Sequence, residues 1–66
     1  MEVTINGKIT QLNHPQNLQN LITGLCPYPQ HVVAEVNGKI LKSVVWSKTP
    51  IQNGDLIELI SFVGGG

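Results

Sequence analysis

Arginine is absent from this 66-residue chain, and charged side chains of any kind are few. Four lysines balance four acidic residues, so the formal net charge at pH 7 is zero. The chain therefore lacks both the positive excess and the guanidinium groups with which proteins bind nucleic-acid phosphates. We expect no nucleic-acid partner.

Cysteine occurs once, at Cys26, so no disulfide can form within the chain. We interpret Cys26 as a small apolar residue after a helix, with an acyl or persulfide link to a partner as the alternative. His14 and His31 are isolated in the sequence, which favours turn and strand-start roles over general-base or metal-binding roles. No metal site is predicted.

Long hydrophobic runs are also missing. No segment approaches the roughly eighteen apolar residues that a membrane-spanning helix needs, and the first residues do not resemble a signal peptide. We expect a soluble, cytoplasmic protein with no membrane partner. A chain of this size forms a single small core and has no room for an enclosed active-site cavity.

Two short extended segments open the chain. Val3 and Ile5 alternate with polar residues, and Asn6-Gly7 follows as a dipeptide that tolerates the positive φ angles of a type I′ turn. The alternation over residues 8–12 is imperfect. We predict a β-hairpin whose second strand bulges or ends early.

A helix is predicted after the break at His14-Pro15. Its apolar residues follow the i, i+3, i+4, i+7 spacing of one helical face. They are Leu18, Leu21, Ile22 and Leu25. Asn17 is the expected N-cap, and Gly24 with Cys26-Pro27 ends the helix. So short a helix must be stabilised by packing on a sheet.

A second hairpin is predicted around Asn37-Gly38, between an alternating run at 32–37 and a run at 39–42. Trp46 follows in a short mixed segment, which we assign to a turn or a 3₁₀ helix. Its indole is expected to pack over the edge of the core, with partner binding as the alternative.

The longest apolar stretch, residues 56–63, follows a tight turn at 52–55. Apolar residues occupy both of its alternating faces, which predicts a strand in the centre of the sheet. One helix covers only one face of a sheet, so the other face is left to solvent or to a partner. If Ile57 and Leu59 face the helix, Ile60 and Phe62 form an apolar docking patch on the uncovered face. The opposite phase would bury Ile60 and Phe62, and the sequence leaves both phases open.

Three glycines, Gly64, Gly65 and Gly66, come directly after this strand. A segment without Cβ atoms can thread a narrow channel, and three extended residues reach about 10 Å. The terminal carboxylate is therefore a candidate reactive group, with a frayed end as the alternative. We divide the chain into a domain at 1–63 and a flexible tail at 64–66.

Several of these pieces together resemble the ThiS family of sulfur carrier proteins in thiamine biosynthesis. They are Val36-Asn37-Gly38, Trp46, the segment from Asn53 to Leu59, and the segment from Phe62 to Gly66. The resemblance covers essentially the whole chain. It implies an α+β, ubiquitin-like β-grasp fold, with a mixed sheet of about five strands packed on one helix and a flexible C-terminal glycine tail.

The resemblance also implies a chemical role for the terminus. In such a carrier a ThiF-like adenylyltransferase uses ATP to activate the Gly66 carboxylate. A sulfurtransferase or desulfurase supplies sulfur, and the resulting thiocarboxylate passes it to thiazole synthase. The chain itself would be a protein co-substrate, not an enzyme, and would bind no cofactor. Gly64, Gly65 and Gly66 would enter the partner, with Ile60 and Phe62 as docking residues.

Three other functions stay open on the sequence. The first is the small subunit of molybdopterin synthase, a sulfur donor for the dithiolene, although Ser61-Phe62-Val63 lacks the prolines expected before its final glycines. The second is a ubiquitin-like modifier joined to lysines. The third is an interaction module without terminal chemistry.

Overall fold

The computed structural model describes residues 1–62, and within them it has a five-stranded sheet and one α-helix. The strands are β1 (Glu2–Ile5), β2 (Lys8–Gln11), β3 (Val32–Val36), β4 (Lys39–Leu41) and β5 (Leu56–Ser61), and the helix is α1 (Leu18–Leu25). Two 3₁₀ segments, Pro29–His31 and Ser43–Lys48, complete the elements. The predicted boundary between a domain at 1–63 and a tail at 64–66 lies outside the described residues.

The sheet has the strand order β2-β1-β5-β3-β4. Strands β1 and β5 run parallel, and the other neighbouring pairs are antiparallel. The predicted central position of the last strand is confirmed, because β5 lies between β1 and β3. This mixed sheet with one helix is the α+β, β-grasp architecture that the resemblance implies.

Both Asn-Gly dipeptides form hairpin turns. The φ angles are +50° at Asn6 and +80° at Gly7, and +52° at Asn37 and +85° at Gly38. Positive φ at both central residues is the requirement of a type I′ turn, whose twist matches that of the flanking strands. Strand β2 ends at Gln11, so the early end allowed by its imperfect alternation is observed.

The helix begins as predicted, since the Asn17 side chain accepts a hydrogen bond from the Asn20 amide at 2.8 Å. Gly24 does not end it, because the helix continues to Leu25 and stops at Cys26. Cys26 is extended, at φ −117° and ψ 122°, as expected for a residue that precedes proline. The prediction that Leu25 belongs to the buried face was wrong. Leu25 is 55% exposed, because it is the last helical residue before the chain leaves the helix.

The core lies between α1 and one face of the sheet. Leu18 and Ile22 of the helix are fully buried against Val3, Ala34 and Ile57 of the three central strands. Leu21, Val32, Val36, Trp46 and Ile51 complete the buried apolar cluster.

Trp46 is buried in the second 3₁₀ segment, and its indole N–H donates to the Leu41 carbonyl at 2.9 Å. Both the predicted 3₁₀ conformation and the predicted packing of the indole on the core are confirmed. Within residues 1–62, no helix is both long and apolar enough to cross a bilayer.

Candidate functional site

The register of β5 decides which of its two apolar faces is buried. Ile57 lies opposite Val36 of β3, and Leu59 lies opposite Ala34, so both point to the helix. Ile57 is 1% exposed, whereas Ile60 is 57% exposed and Phe62 is 54% exposed. Of the two phases that the sequence leaves open, the structure has the one that places Ile60 and Phe62 on the uncovered face.

The side chains on the sheet surface opposite the helix form what we call the open face. They are Glu2, Thr4, Ile9, Gln11, Val33, Glu35, Ile40, Leu56, Glu58, Ile60 and Phe62. Six members of this set are apolar, and five of these are large hydrophobic side chains that are more than half exposed. An exposed apolar surface of this kind is typical of a site that contacts another protein.

Two of the carboxylates on the open face are direct cross-strand neighbours. Glu35 of β3 and Glu58 of β5 lie directly opposite each other in the antiparallel pair. Like charges in this position destabilise a sheet. The Glu35–Glu58 pair is therefore expected to lower the stability of the isolated chain.

The end of β5 is fixed to the body of the protein as far as Phe62. The Phe62 amide donates to the His31 carbonyl at 3.0 Å, which continues the ladder between β5 and β3. The His31 ring stacks on Tyr28 with a centroid separation of 5.8 Å. We call Tyr28, His31, Ile60 and Phe62 the exit rim, because residues 63–66 follow directly from it.

The separation of Gly66 from the exit rim has an upper limit set by the chain. Gly66 lies four residues beyond Phe62 in the sequence. Even fully extended, four residues reach only about 14 Å. An active site that holds Gly66 would therefore lie within this distance of Phe62. The predicted tail residues Gly64, Gly65 and Gly66 themselves lie outside the described residues.

Two asparagine side chains hold β5 in place from either side. Asn6 accepts a hydrogen bond from the Leu59 amide at 2.8 Å and donates to the Leu59 carbonyl at 3.3 Å. Asn37 accepts from the Leu56 amide and donates to the Asp55 carboxylate, both at 2.9 Å. The sequence assigned both residues only to turns. A local turn signal does not reveal contacts with a strand that is distant in sequence.

The turn before β5 is held by the buried Asp55. Its second carboxylate oxygen accepts from the Gln52 amide at 2.8 Å, while the first accepts from Asn37. Because Asp55 is satisfied on both oxygens, it has a structural role at the start of β5.

The other candidate residues are not assembled into a reactive site. Within residues 1–62, no group of three or more His, Cys, Asp or Glu side chains is placed to hold a metal ion. Cys26 is a partly buried free thiol packed against the core, and His14 is exposed in a turn. Two depressions on the described surface are both partly open to solvent. What the described residues offer is an exposed apolar surface, of the kind that contacts other proteins.

Comparisons with known proteins agree on one family. The model of the ThiS family matches residues 3–66. The uncharacterized protein ycf40 of Porphyra purpurea is 30% identical over 66 residues, which are all of this chain and 93% of that protein. A thiazole synthase of Magnetococcus marinus is 29% identical over 66 residues, but these make up only 20% of its length.

Solved structures give the same result. The crystal structure of the thiamine biosynthesis protein ThiS from Geobacter metallireducens has a TM-score of 0.86 and 30% sequence identity, with both chains covered completely. The solution structure of a thiamine biosynthesis protein from the same organism has a TM-score of 0.81, with all of this chain and 88% of that one covered. The chain therefore belongs to the ThiS family.

Proposed function

We propose that this protein is a sulfur carrier for thiazole formation in thiamine biosynthesis. ThiS proteins are small sulfur carriers rather than catalysts. The observation that supports the proposal most strongly is that the family match runs through residue 66 and so includes all three terminal glycines. We assign the reactive group to the carboxylate of Gly66, with Gly64 and Gly65 as the unhindered segment that enters the partner.

The chemistry that we propose has three steps before sulfur is delivered. A free carboxylate is a poor electrophile, so an oxygen of Gly66 first attacks the α-phosphorus of ATP, and pyrophosphate leaves. In the second step, the terminal persulfide sulfur of a sulfurtransferase or desulfurase displaces AMP from the acyl-adenylate and forms an acyl disulfide. A thiol then attacks the donor cysteine sulfur of this acyl disulfide, which releases the thiocarboxylate and leaves a disulfide on the donor. Adenylation is the task of a ThiF-like adenylyltransferase. The carrier is its co-substrate and needs no cofactor of its own.

Thiazole synthase is the proposed acceptor of the sulfur. The thiazole synthase of Magnetococcus marinus contains a segment similar to the whole of this chain, which supports a working relation between such a carrier and that enzyme. The thiocarboxylate sulfur is a soft nucleophile, and its attack on an electrophilic carbon bound by the synthase would form the new carbon–sulfur bond. We place this exchange in the cytoplasm.

We propose Ile60 and Phe62 as the centre of the docking surface for these partners. Both side chains are more than half exposed, and both belong to the exit rim. Because Gly66 lies only four residues beyond Phe62, a partner that acts on Gly66 would come close to these two side chains. Burial of such apolar surface would supply affinity that the glycines, which have no side chains, do not supply.

The proposal is tested by reconstitution. The full chain is incubated with the ThiF-like adenylyltransferase of the same organism, ATP, a cysteine desulfurase and cysteine, and its intact mass is then measured. We expect a species in which one sulfur replaces one oxygen at Gly66. The matched control is the chain without Gly66, which should stay unmodified. A full-length chain that remains unmodified although the enzyme hydrolyses ATP to AMP would contradict the proposal.

The choice of pathway is tested separately. The thiocarboxylated protein is offered to thiazole synthase and, in a parallel reaction, to the large subunit of molybdopterin synthase. We expect loss of the terminal sulfur only with thiazole synthase and its substrates. Consumption by the molybdopterin enzyme alone would reverse the assignment, and lysine conjugates in the first reaction would instead favour a modifier.

A further inference from the structure

Strand β5 continues past the end of its parallel neighbour β1. The two strands pair only at Thr4 opposite Leu56 and at Ile5 opposite Ile57. The chain then leaves β1 through the Asn6-Gly7 turn, whereas β5 runs on to Ser61. The last part of β5 therefore has β3 on one side and no strand on the other.

The Asn6 side chain takes the place of a neighbouring strand at one residue of this part of β5, Leu59. Its amide group bonds both the N–H and the C=O of Leu59, as a neighbouring strand would. Along a strand, the N–H and C=O groups of successive residues point to opposite edges. After Leu59, the next residue whose backbone groups point away from β3 is therefore Ser61. Ile60 lies opposite Val33 in the ladder, and the Phe62 amide bonds to the His31 carbonyl, so both of these face β3. Within residues 1–62, no residue is paired with Ser61 on the side away from β3.

We propose that an extended segment of the adenylating enzyme pairs with β5 at Ser61. In this arrangement the Ser61 N–H donates to a carbonyl of the enzyme, and the Ser61 C=O accepts from one of its amides. Ser61 is exposed, and an unpaired donor and acceptor on the edge of a strand form a template for a further strand. This inference rests on the proposed function, because it names how the enzyme that receives the tail recognises the carrier.

The position of this edge favours the enzyme that receives the tail, rather than a second copy of the chain, as the partner that binds at Ser61. On one side the Asn6-Gly7 turn blocks extension of the pairing, so the described part of the edge offers only the two groups of Ser61. Two hydrogen bonds are far too small an interface for a stable dimer. An enzyme that acts on Gly66 comes close to the exit rim, so an extended segment of that enzyme can reach Ser61. The edge leads directly into the segment that must be positioned.

Pairing through the backbone would give the carrier a fixed orientation without side chains. A glycine segment has no side chain by which its direction can be read. A strand bonded at Ser61 would align the chain with the enzyme three residues before Gly64, so that the carboxylate arrives at ATP from one direction. Such preorganisation lowers the entropic cost of placing reacting groups together.

Amide hydrogen exchange followed by NMR tests the pairing directly. In the free chain we expect the Ser61 amide to exchange rapidly, while the amides of Ile60 and Phe62, which bond to β3, exchange slowly. In the complex with the adenylating enzyme and a non-hydrolysable ATP analogue, exchange at Ser61 should slow at least about tenfold, as for a newly formed strand bond. Unchanged exchange at Ser61 in the saturated complex overturns the inference.

A matched pair of variants gives an independent test. Ser61→Pro removes the N–H that the fold does not use, and Ser61→Ala removes the hydroxyl but keeps the N–H. Proline is tolerated where a strand's N–H points to solvent, so both variants should keep the fold. We expect Ser61→Pro to lower kcat/KM for adenylation about fivefold to tenfold relative to Ser61→Ala, as for one lost hydrogen bond. Equal values for two folded variants overturn the inference, and if Ser61→Pro does not fold, the exchange measurement decides alone.

The two proposals fail in different ways. If the wild-type chain is adenylated but Ser61 stays unprotected, only the strand pairing is wrong and the carrier function stands. If the wild-type chain is neither bound nor adenylated, the carrier function is wrong and the pairing falls with it.

Discussion

The two faces of the sheet are made from the same five strands but differ in how far their apolar side chains are buried. The face against α1 is apolar and closed, with Val3, Ala34 and Ile57 inaccessible to solvent. The open face also contains large apolar side chains, yet these are exposed, and the face places Glu35 opposite Glu58. Burial stabilises the first face in the isolated chain. The second face leaves apolar surface in water and like charges together, so it contributes less to the stability of the isolated chain.

The largest expected effect concerns the closed face, where Ile57→Ala removes a fully buried side chain beneath the helix. Deletions of this kind cost about 2–5 kcal/mol, because transfer free energy is lost and a cavity is left. The matched variant Ile60→Ala lies on the same strand but on the open face, and should change the free energy of unfolding by less than about 1 kcal/mol. Urea unfolding measures both. Equal losses would mean that the two faces do not differ in their contribution to stability.

The second prediction concerns Asn37, which helps to fix the register that separates the two faces. Asn37→Ala removes the hydrogen bonds to Leu56 and Asp55. It also places alanine at φ +52°, a conformation that asparagine adopts more readily than alanine. We expect a loss of about 2–3 kcal/mol, from unsatisfied partners and backbone strain together. Asn37→Gly removes the same bonds without strain and should lose less. A smaller loss for alanine than for glycine would contradict this account.

The third prediction concerns docking by the open face. Phe62→Ala should leave unfolding by urea nearly unchanged, because the side chain is mostly exposed and the amide bonded to His31 is kept. We expect it to lower kcat/KM for adenylation about tenfold or more, as for the loss of an apolar residue at the centre of an interface. The matched control is Val44→Ala, an exposed apolar residue in the 3₁₀ segment and outside the open face. Equal effects in the two variants would show that exposure alone, and not membership of the open face, is what matters.

Much of this arrangement could be predicted from local signals. Asn-Gly at 6–7 and 37–38 gave both hairpins, because few other pairs adopt positive φ at two successive residues. Asn17 gave the start of the helix for a similar local reason. Leu25 shows the limit of periodicity, since a residue in phase with the buried stripe is exposed once the helix ends there.

The phase of β5 was harder to predict because apolar residues occupy both of its faces. One signal was nevertheless present. Glu58 has the same parity as Ile60 and Phe62, and a glutamate is rarely buried without a partner. The hydrogen bonds from Asn6 and Asn37 to β5, and the bare edge at Ser61, could not be predicted in this way. They depend on where strands distant in sequence stop relative to one another, and this is decided by the packed sheet.

The smallest expected effect concerns the acidic pair, and it sharpens the contrast between the faces most directly. Glu58→Lys places a cation opposite Glu35 and should stabilise the free chain by about 0.2–1 kcal/mol, because a repulsive cross-strand pair becomes attractive. Glu58→Gln removes the repulsion without adding attraction, and should give a smaller gain. Both gains should shrink at about 1 M salt, where the Debye length is only about 3 Å. If Glu58→Lys instead lowers the free energy of unfolding at low salt, the two carboxylates do not repel each other in the folded chain. The open face would then be as well adapted to the isolated protein as the face beneath the helix.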